Sequence, residues 1–206
     1  MTAHTLRYEP AIQKLQELGS SLGEWQRLSC TMKFETHTIQ SGNREGWEHY
    51  GVLMEIGIHL LDLVRVLTRD EIGEVSMEME RETMNTPETR VWGSLTTRNG
   101  LTCSVDISGV SRGRISRAEI IGSKGQACAD WANHHITCTD QTNKTTRFPC
   151  PQTPALIPLL RDFFRSIQTD TPLPITGEDG LQAVRIAEAC YRSAQSGHPI
   201  SLPLSG

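Results

Sequence analysis

The sequence predicts an α+β domain: a large, mostly antiparallel β-sheet with helices packed on one face. Three observations carry that prediction. Apolar and polar residues alternate from Val75 almost to Phe148, the two-residue period of half-buried strands. Apolar residues recur at helical spacing only near the start, around residue 60 and beyond residue 154. And 206 residues with 37% hydrophobic and 21% charged content suffice for one substantial core, so residues 1–206 are taken as a single domain.

The elements follow in order. Pro10 suits a first helical position, Ile12, Leu15 and Leu18 share a face, and Gly19 ends the helix. A strand follows, in which Leu28, Cys30, Met32 and Phe34 alternate with Ser29, Thr31, Lys33 and Glu35. Residues 36–50, polar and glycine-containing, are expected to form a loop. Helix 51–67 comes next. In the strands beyond it, Val75, Met77 and Met79 alternate with Ser76, Glu78 and Glu80. Residues 91–97 and 101–108 flank Arg98-Asn99-Gly100, an Asn-Gly hairpin signal. Further strands are expected at 114–121, 126–131, 134–139 and 144–148, giving a meander with one apolar and one hydroxyl-rich face.

Helices return at the end. Leu156, Leu159, Leu160, Phe163, Phe164 and Ile167 mark one, with Pro154 and Pro158 blurring its start. Thr176 and Asp179 resemble a capping box for the last helix, whose Leu181, Val184, Ala187, Tyr191 and Ala194 form a stripe that stops before Gly197.

Composition excludes several function classes. The formal net charge is −4, without a Lys/Arg cluster, so no nucleic-acid partner is expected. No stretch is apolar enough to span a membrane. The first residues lack the basic-then-apolar order of a signal peptide. Six scattered cysteines form no C-x-x-C pair and read as reduced thiols of a cytoplasmic protein. By the same argument Asn143-Lys144-Thr145 is not expected to be glycosylated. Neighbouring His134 and His135 lack zinc-ligand spacing, and no metal is expected.

The chemistry lies in "GVLMEIGIHLLDLVRV", residues 51–66. On a wheel of 100° per residue, Leu53, Ile56, Leu60, Leu63, Val64 and Leu67 share one side. Glu55, His59 and Asp62 share the other, at i, i+4 and i+7. A carboxylate beside an imidazole can tune it for proton transfer near neutrality. The same spacing also describes a solvated face with weak ion pairs, and the pattern alone leaves both readings open.

That segment resembles the G-x-x-x-D-x-G-x-H-x-x-D-x-x-x-x-L helix of the glucose–fructose oxidoreductase/inositol dehydrogenase (Gfo/Idh/MocA) family. "LRYEPAIQKLQEL" is similar to the segment through which those enzymes enter their substrate domain. "AEIIGSKGQACAD" resembles their strand–turn–strand, and "PLPITGEDGLQAVRIAEACYRSAQSGHPISL" their C-terminal helix. The resemblance implies that His59 is the acid/base on a substrate hydroxyl or carbonyl. It places Glu55, one methylene longer, where the family has an Asp that helps hold the substrate, and Glu55 is read as a catalytic residue beside His59. Asp62 matches the later Asp and is read mainly as a structural partner. Tyr8, Trp47, Tyr50 and Asp62 complete the candidate substrate contacts, with His49 a further residue for the pocket.

Family enzymes begin with a Rossmann domain, but no G-x-G turn occurs here and no strand–helix–strand unit precedes the sheet. No cofactor is therefore expected in this chain, with NAD(P) coming only from a Rossmann-domain partner. The chain starts at the family's domain boundary, as either a truncated gene product or a fragment would. Three functions stay open: the substrate half of an NAD(P)-dependent oxidoreductase, a cofactor-independent isomerase, lyase or cyclase using His59 and Glu55, and a non-catalytic oligomerisation module. A homodimer through the open sheet is expected in each case, because that face commonly assembles in this family.

Overall fold

A computed structural model describes residues 1–35, 50–83 and 86–203. The expected loop lies almost wholly at 36–49, outside the described residues, together with Trp47 and His49. The α+β architecture is present. Helix α1 (Pro10–Gly19) precedes strand β1 (Trp25–Glu35), and helix α2 (Ile58–Thr68) follows a helical turn at Leu53–Gly57. Seven strands come next: β2 (Ile72–Arg81), β3 (Glu88–Thr97), β4 (Thr102–Ser108), β5 (Val110–Gly122), β6 (Gly125–Asp130), β7 (His135–Asp140) and β8 (Thr145–Pro149). Helices α3 (Leu156–Thr169) and α4 (Gly177–Ser196) lead to a short edge strand, β9 (Ile200–Ser201).

Among the described residues the strands form one nine-stranded sheet in the order β8-β7-β6-β5-β1-β4-β3-β2-β9. The meander expectation needs one correction, because β1 runs parallel to β4, with Ser29 beside Ser104. The chain leaves β1, crosses the sheet in α2 and returns through the β2–β3–β4 meander. A parallel pair requires such a crossover.

Alternation sets the two faces. Leu28 and Cys30 of β1, Cys103, Val105 and Ile107 of β4, and Val91 and Leu95 of β3 are buried beneath the helices. On the opposite face the register aligns Ser29, Ser104, Ser94 and Ser76 across four strands. Ser104 donates to Ser29 at 3.0 Å. Beside that row Lys33 pairs with Asp106, and Arg90 lies 4.7 Å over Trp92. A one-residue slip would exchange these faces, so the burial pattern pins the register.

α1 covers β6 and β7, α2 lies over β1, and α4 packs on β2 and against α2. The capping box at α4 is present: Thr176 accepts from the Asp179 amide, and the Asp179 carboxylate accepts from the Thr176 amide. Gly197 closes the helix in the left-handed region, at φ 69°. The α4 stripe differs from expectation. The buried residues are Ala183, Ile186, Ala187, Ala189, Cys190 and Ser193, while Leu181 is exposed. Small side chains let α4 approach the sheet and α2, so the contact face is the one with the least bulk. On α3 only Leu159 of the apolar stripe is buried; Leu156, Leu160, Phe164 and Ile167 face outward.

Candidate active site

The helix carrying the histidine starts with a π turn. The Ile58 amide bonds back to the Leu53 carbonyl, five residues earlier. A wheel of 100° per residue therefore fails over Leu53–Gly57, and the turn that bears Glu55 is wound more widely than the one that bears His59. Its entry is held from the sheet. Glu88, the first residue of β3 and 0% exposed, accepts hydrogen bonds from the Gly51 and Leu53 amides and from the Tyr191 hydroxyl, the last at 2.7 Å. The carboxylate caps free amides at a helix start, where negative charge is favoured. Gly51 is needed for this approach, because a Cβ there would lie 2.1 Å from the Glu88 carbonyl oxygen.

The polar row on α2 does not face open solvent. The N-terminal segment, with a 3₁₀ turn at Thr5–Tyr8, folds over it. Asp62 is 1% exposed. Arg7 grips it through two hydrogen bonds, Nε to Oδ2 at 2.8 Å and Nη2 to Oδ1 at 2.5 Å. The same Nη2 donates to Asp179 on α4 at 2.8 Å. Arg65 stands 3.8 Å from Asp62 and donates to Glu71. Burial alone would push Asp179 up, but the hydrogen bonds from Arg7 and Thr176 outweigh it and hold its carboxyl near about 2. Arg7 is likewise held above its ordinary value, its burial outweighed by its bonds to Asp62 and Asp179. Asp62, an expected substrate contact, sits inside this ion network. Both its oxygens are taken by Arg7, and it ties the first residues of the chain to α2.

His59 is half-buried, and its Nδ1 is buried with no hydrogen-bond partner among the described residues. Burial, reinforced by neighbouring His4 and opposed by Asp62, lowers its pKa, so the ring is neutral at pH 7. Glu55 is half-buried one turn earlier, with its amide bonded to the Gly51 carbonyl. Tyr50 is 40% exposed and meets Tyr191 edge-on at 5.8 Å. Tyr8 gives its hydroxyl to Asp162 of α3 at 2.9 Å; burial and that bond push its pKa up to about 12. Two residues of this region escaped sequence reasoning, His4 and Arg7. The available signal was Asp62 itself, since an acid inside an apolar helix requires a buried cation.

A cavity of about 340 Å³ opens beside the ion network, lined by Arg7, Arg65, Val66, Arg69, Asp70, Glu71 and Asp179. It does not include His59. Of its arginines, Arg7 and Arg65 already face carboxylates. Among the described residues no cluster of three metal-binding side chains occurs, and no helix is long and apolar enough to cross a membrane.

An open, mostly antiparallel sheet with helices on one face and a histidine–carboxylate helix across its centre defines a class of α/β domain found in oxidoreductases. The chain belongs to the Gfo/Idh/MocA family: residues 32–202 match the profile described as "Oxidoreductase family, C-terminal alpha/beta domain". It is 31% identical over 170 residues to the uncharacterized oxidoreductase YrbE of Bacillus subtilis (strain 168), which covers 74% of this chain and 48% of that protein. An oxidoreductase domain protein from Kribbella flavida superposes with a TM-score of 0.81 at 20% identity, over 98% of this chain and 65% of that one. The aldose-aldose oxidoreductase of Caulobacter crescentus, solved with glycerol, gives 0.80 at 21%, over 97% and 62%. UDP-N-acetylglucosamine 3-dehydrogenase GnnA of Acidithiobacillus ferrooxidans gives 0.79 at 20%, over 94% and 61%. The chain thus spans about half the length of its curated relative and under two thirds of these solved structures.

Proposed function

We propose that this domain is the substrate-binding, acid–base half of an oxidoreductase whose nucleotide is held by a separate domain or chain. The observation that carries the reading is His59: a half-buried imidazole with an unpartnered nitrogen, its pKa lowered by burial, on the central helix of a domain of this family. A neutral imidazole accepts a proton from a substrate hydroxyl, and such catalysis contributes roughly 10²–10⁴ in rate. Glu55 is its companion, and Tyr50 and Trp47 are proposed to contact substrate. A hydroxylated, sugar-like substrate fits this chemistry, in line with the two solved relatives named for sugars.

The residues described do not fit a nucleotide. Among the described residues no glycine turn joins a strand to a helix N-terminus, and the α4 N-terminus is closed by its own capping box. The exposed apolar residues on α3, Leu156, Ile157, Leu160, Phe164 and Ile167, support a second polypeptide surface covering this one. The serine row and its flanking threonines support a homodimer through the open sheet face. All six cysteines are unpaired, in keeping with a cytoplasmic location.

The test is a titration of the chain, labelled with [15N]histidine, against a panel of aldoses, polyols and nucleotide-sugars. A saturable shift of the His59 ring signals that disappears in Glu55→Ala is expected. Shifts confined to other residues would contradict the reading. Products formed without any nucleotide would assign the chain instead to redox-neutral isomerase, lyase or cyclase chemistry.

A further inference from the structure

His4 is 2% exposed, and both its ring nitrogens are buried with no hydrogen-bond partner among the described residues. Its ring stands edge-on to His59, with centroids 5.7 Å apart and planes at 84°. On its other side Nε2 lies 4.0 Å from Asp62 Oδ1. Each buried, unpaired polar atom opposes folding, because it has given up water without gaining a partner. An apolar ring would fill the same space without that cost, so two imidazoles with unpaired nitrogens side by side are not explained by packing.

The charged groups around the pair come from three elements. Arg7 faces His4 from the N-terminal turn, Asp62 and Arg65 from α2, and Asp179 from α4. His59 faces His4 and Asp62, with Glu55 one turn away along the same helix. Asp62 favours a proton on His4, whereas Arg7 and Arg65 oppose it. Arg7 already answers the Asp62 charge through both carboxylate oxygens. Two like charges at the separation of these rings, away from water, disfavour each other strongly.

We propose that His4 is a positioning residue for His59: the two rings form a coupled pair that carries at most one positive charge, and His4 sets the ionisation of the ring that meets substrate. The proposal rests on the reading of His59 as the acid/base. It gives the N-terminal segment a part in the chemistry, since the turn that carries Arg7 to Asp62 also seats His4 behind His59. Burial lowers both rings from the ordinary histidine value, and the charge of His4 lowers His59 further.

The test is an NMR pH titration of the whole chain labelled with [15N]histidine, in wild type, His4→Gln, His4→Phe and His59→Gln. In the wild type His59 is expected to titrate below the ordinary value of about 6.5. Its midpoint should move upward in His4→Gln, and that of His4 should move upward in His59→Gln. A His59 midpoint that stays in place in both His4 variants would overturn the proposal. If neither His4 variant folds, the His59→Gln chain decides through the signal of His4. The outcome is separable from that of the acid–base reading, which fails instead if turnover survives His59→Ala.

Discussion

Arg7 and Asp62, distant in sequence, form a two-pronged ion pair at 2.8 and 2.5 Å that fastens the start of the chain to its central helix. Removing Arg7 leaves Asp62 charged and buried, which costs about 3–5 kcal/mol, whereas removing Asp62 leaves Arg7 still bonded to Asp179. Arg7→Ala should lower unfolding stability by an amount of that order in urea titrations, and Asp62→Asn by less. The double replacement Arg7→Leu with Asp62→Leu should cost less than the sum of the singles. Additive losses would mean that the two residues act separately.

Acid should destabilise the fold in a defined window. The folded-state values of His4 and His59 lie below the ordinary histidine value, so the unfolded chain binds more protons once pH drops past about 6.5. Stability should be fully present above that point and fall as pH decreases toward the folded values. Asp179 acts lower: its stabilisation is present above about 3.8 and is lost as pH falls toward about 2. Melting temperatures measured from pH 7.5 to pH 5 should decline, and His4→Phe should flatten that decline. A flat profile in the wild type would contradict the burial of neutral imidazoles.

The strands were legible because one face of the sheet is buried: the alternation around Val91, Val105 and Ile107 reports which side meets the helices. The Asn99-Gly100 turn and the Thr176–Asp179 capping box were legible because each is a local device. The parallel pairing of β1 with β4 was not, since alternation carries no strand direction. Nor was the π turn, because an i−5 bond leaves no sequence period. On α3 the apolar stripe marked a face without saying what covers it. The candidate site was half legible. His59 and Glu55 announced themselves by type and spacing, whereas His4 and Arg7 reach Asp62 only through tertiary folding.

Glu88 should matter more than its position at a strand end implies. Glu88→Ala would leave the Gly51 and Leu53 amides and the Tyr191 hydroxyl without their shared acceptor. A loss of about 2–4 kcal/mol follows, with Tyr191→Phe costing only about 1 kcal/mol. Hydrogen exchange should show the amides around Leu53 losing protection in Glu88→Ala. Unchanged protection there would mean that the helix start is held by something else.

The open sheet face makes a separate prediction. Light scattering should report a dimer, and Thr96→Arg with Ser104→Arg, beside and within the aligned serine row, should yield monomers with little change in melting temperature. A monomeric wild type, or a dimer that survives both arginines, would count against assembly through this face.

The most direct measurement pairs activity with stability in His59→Ala, using the first substrate that titration against His59 identifies. Its ring lies at the edge of the apolar core and is only half-buried, so truncation should leave melting within a few degrees of wild type. The account predicts a loss of roughly 10²–10⁴ in kcat, together with loss of the pH dependence that His59 imposes. Full turnover in a folded His59→Ala chain would contradict it.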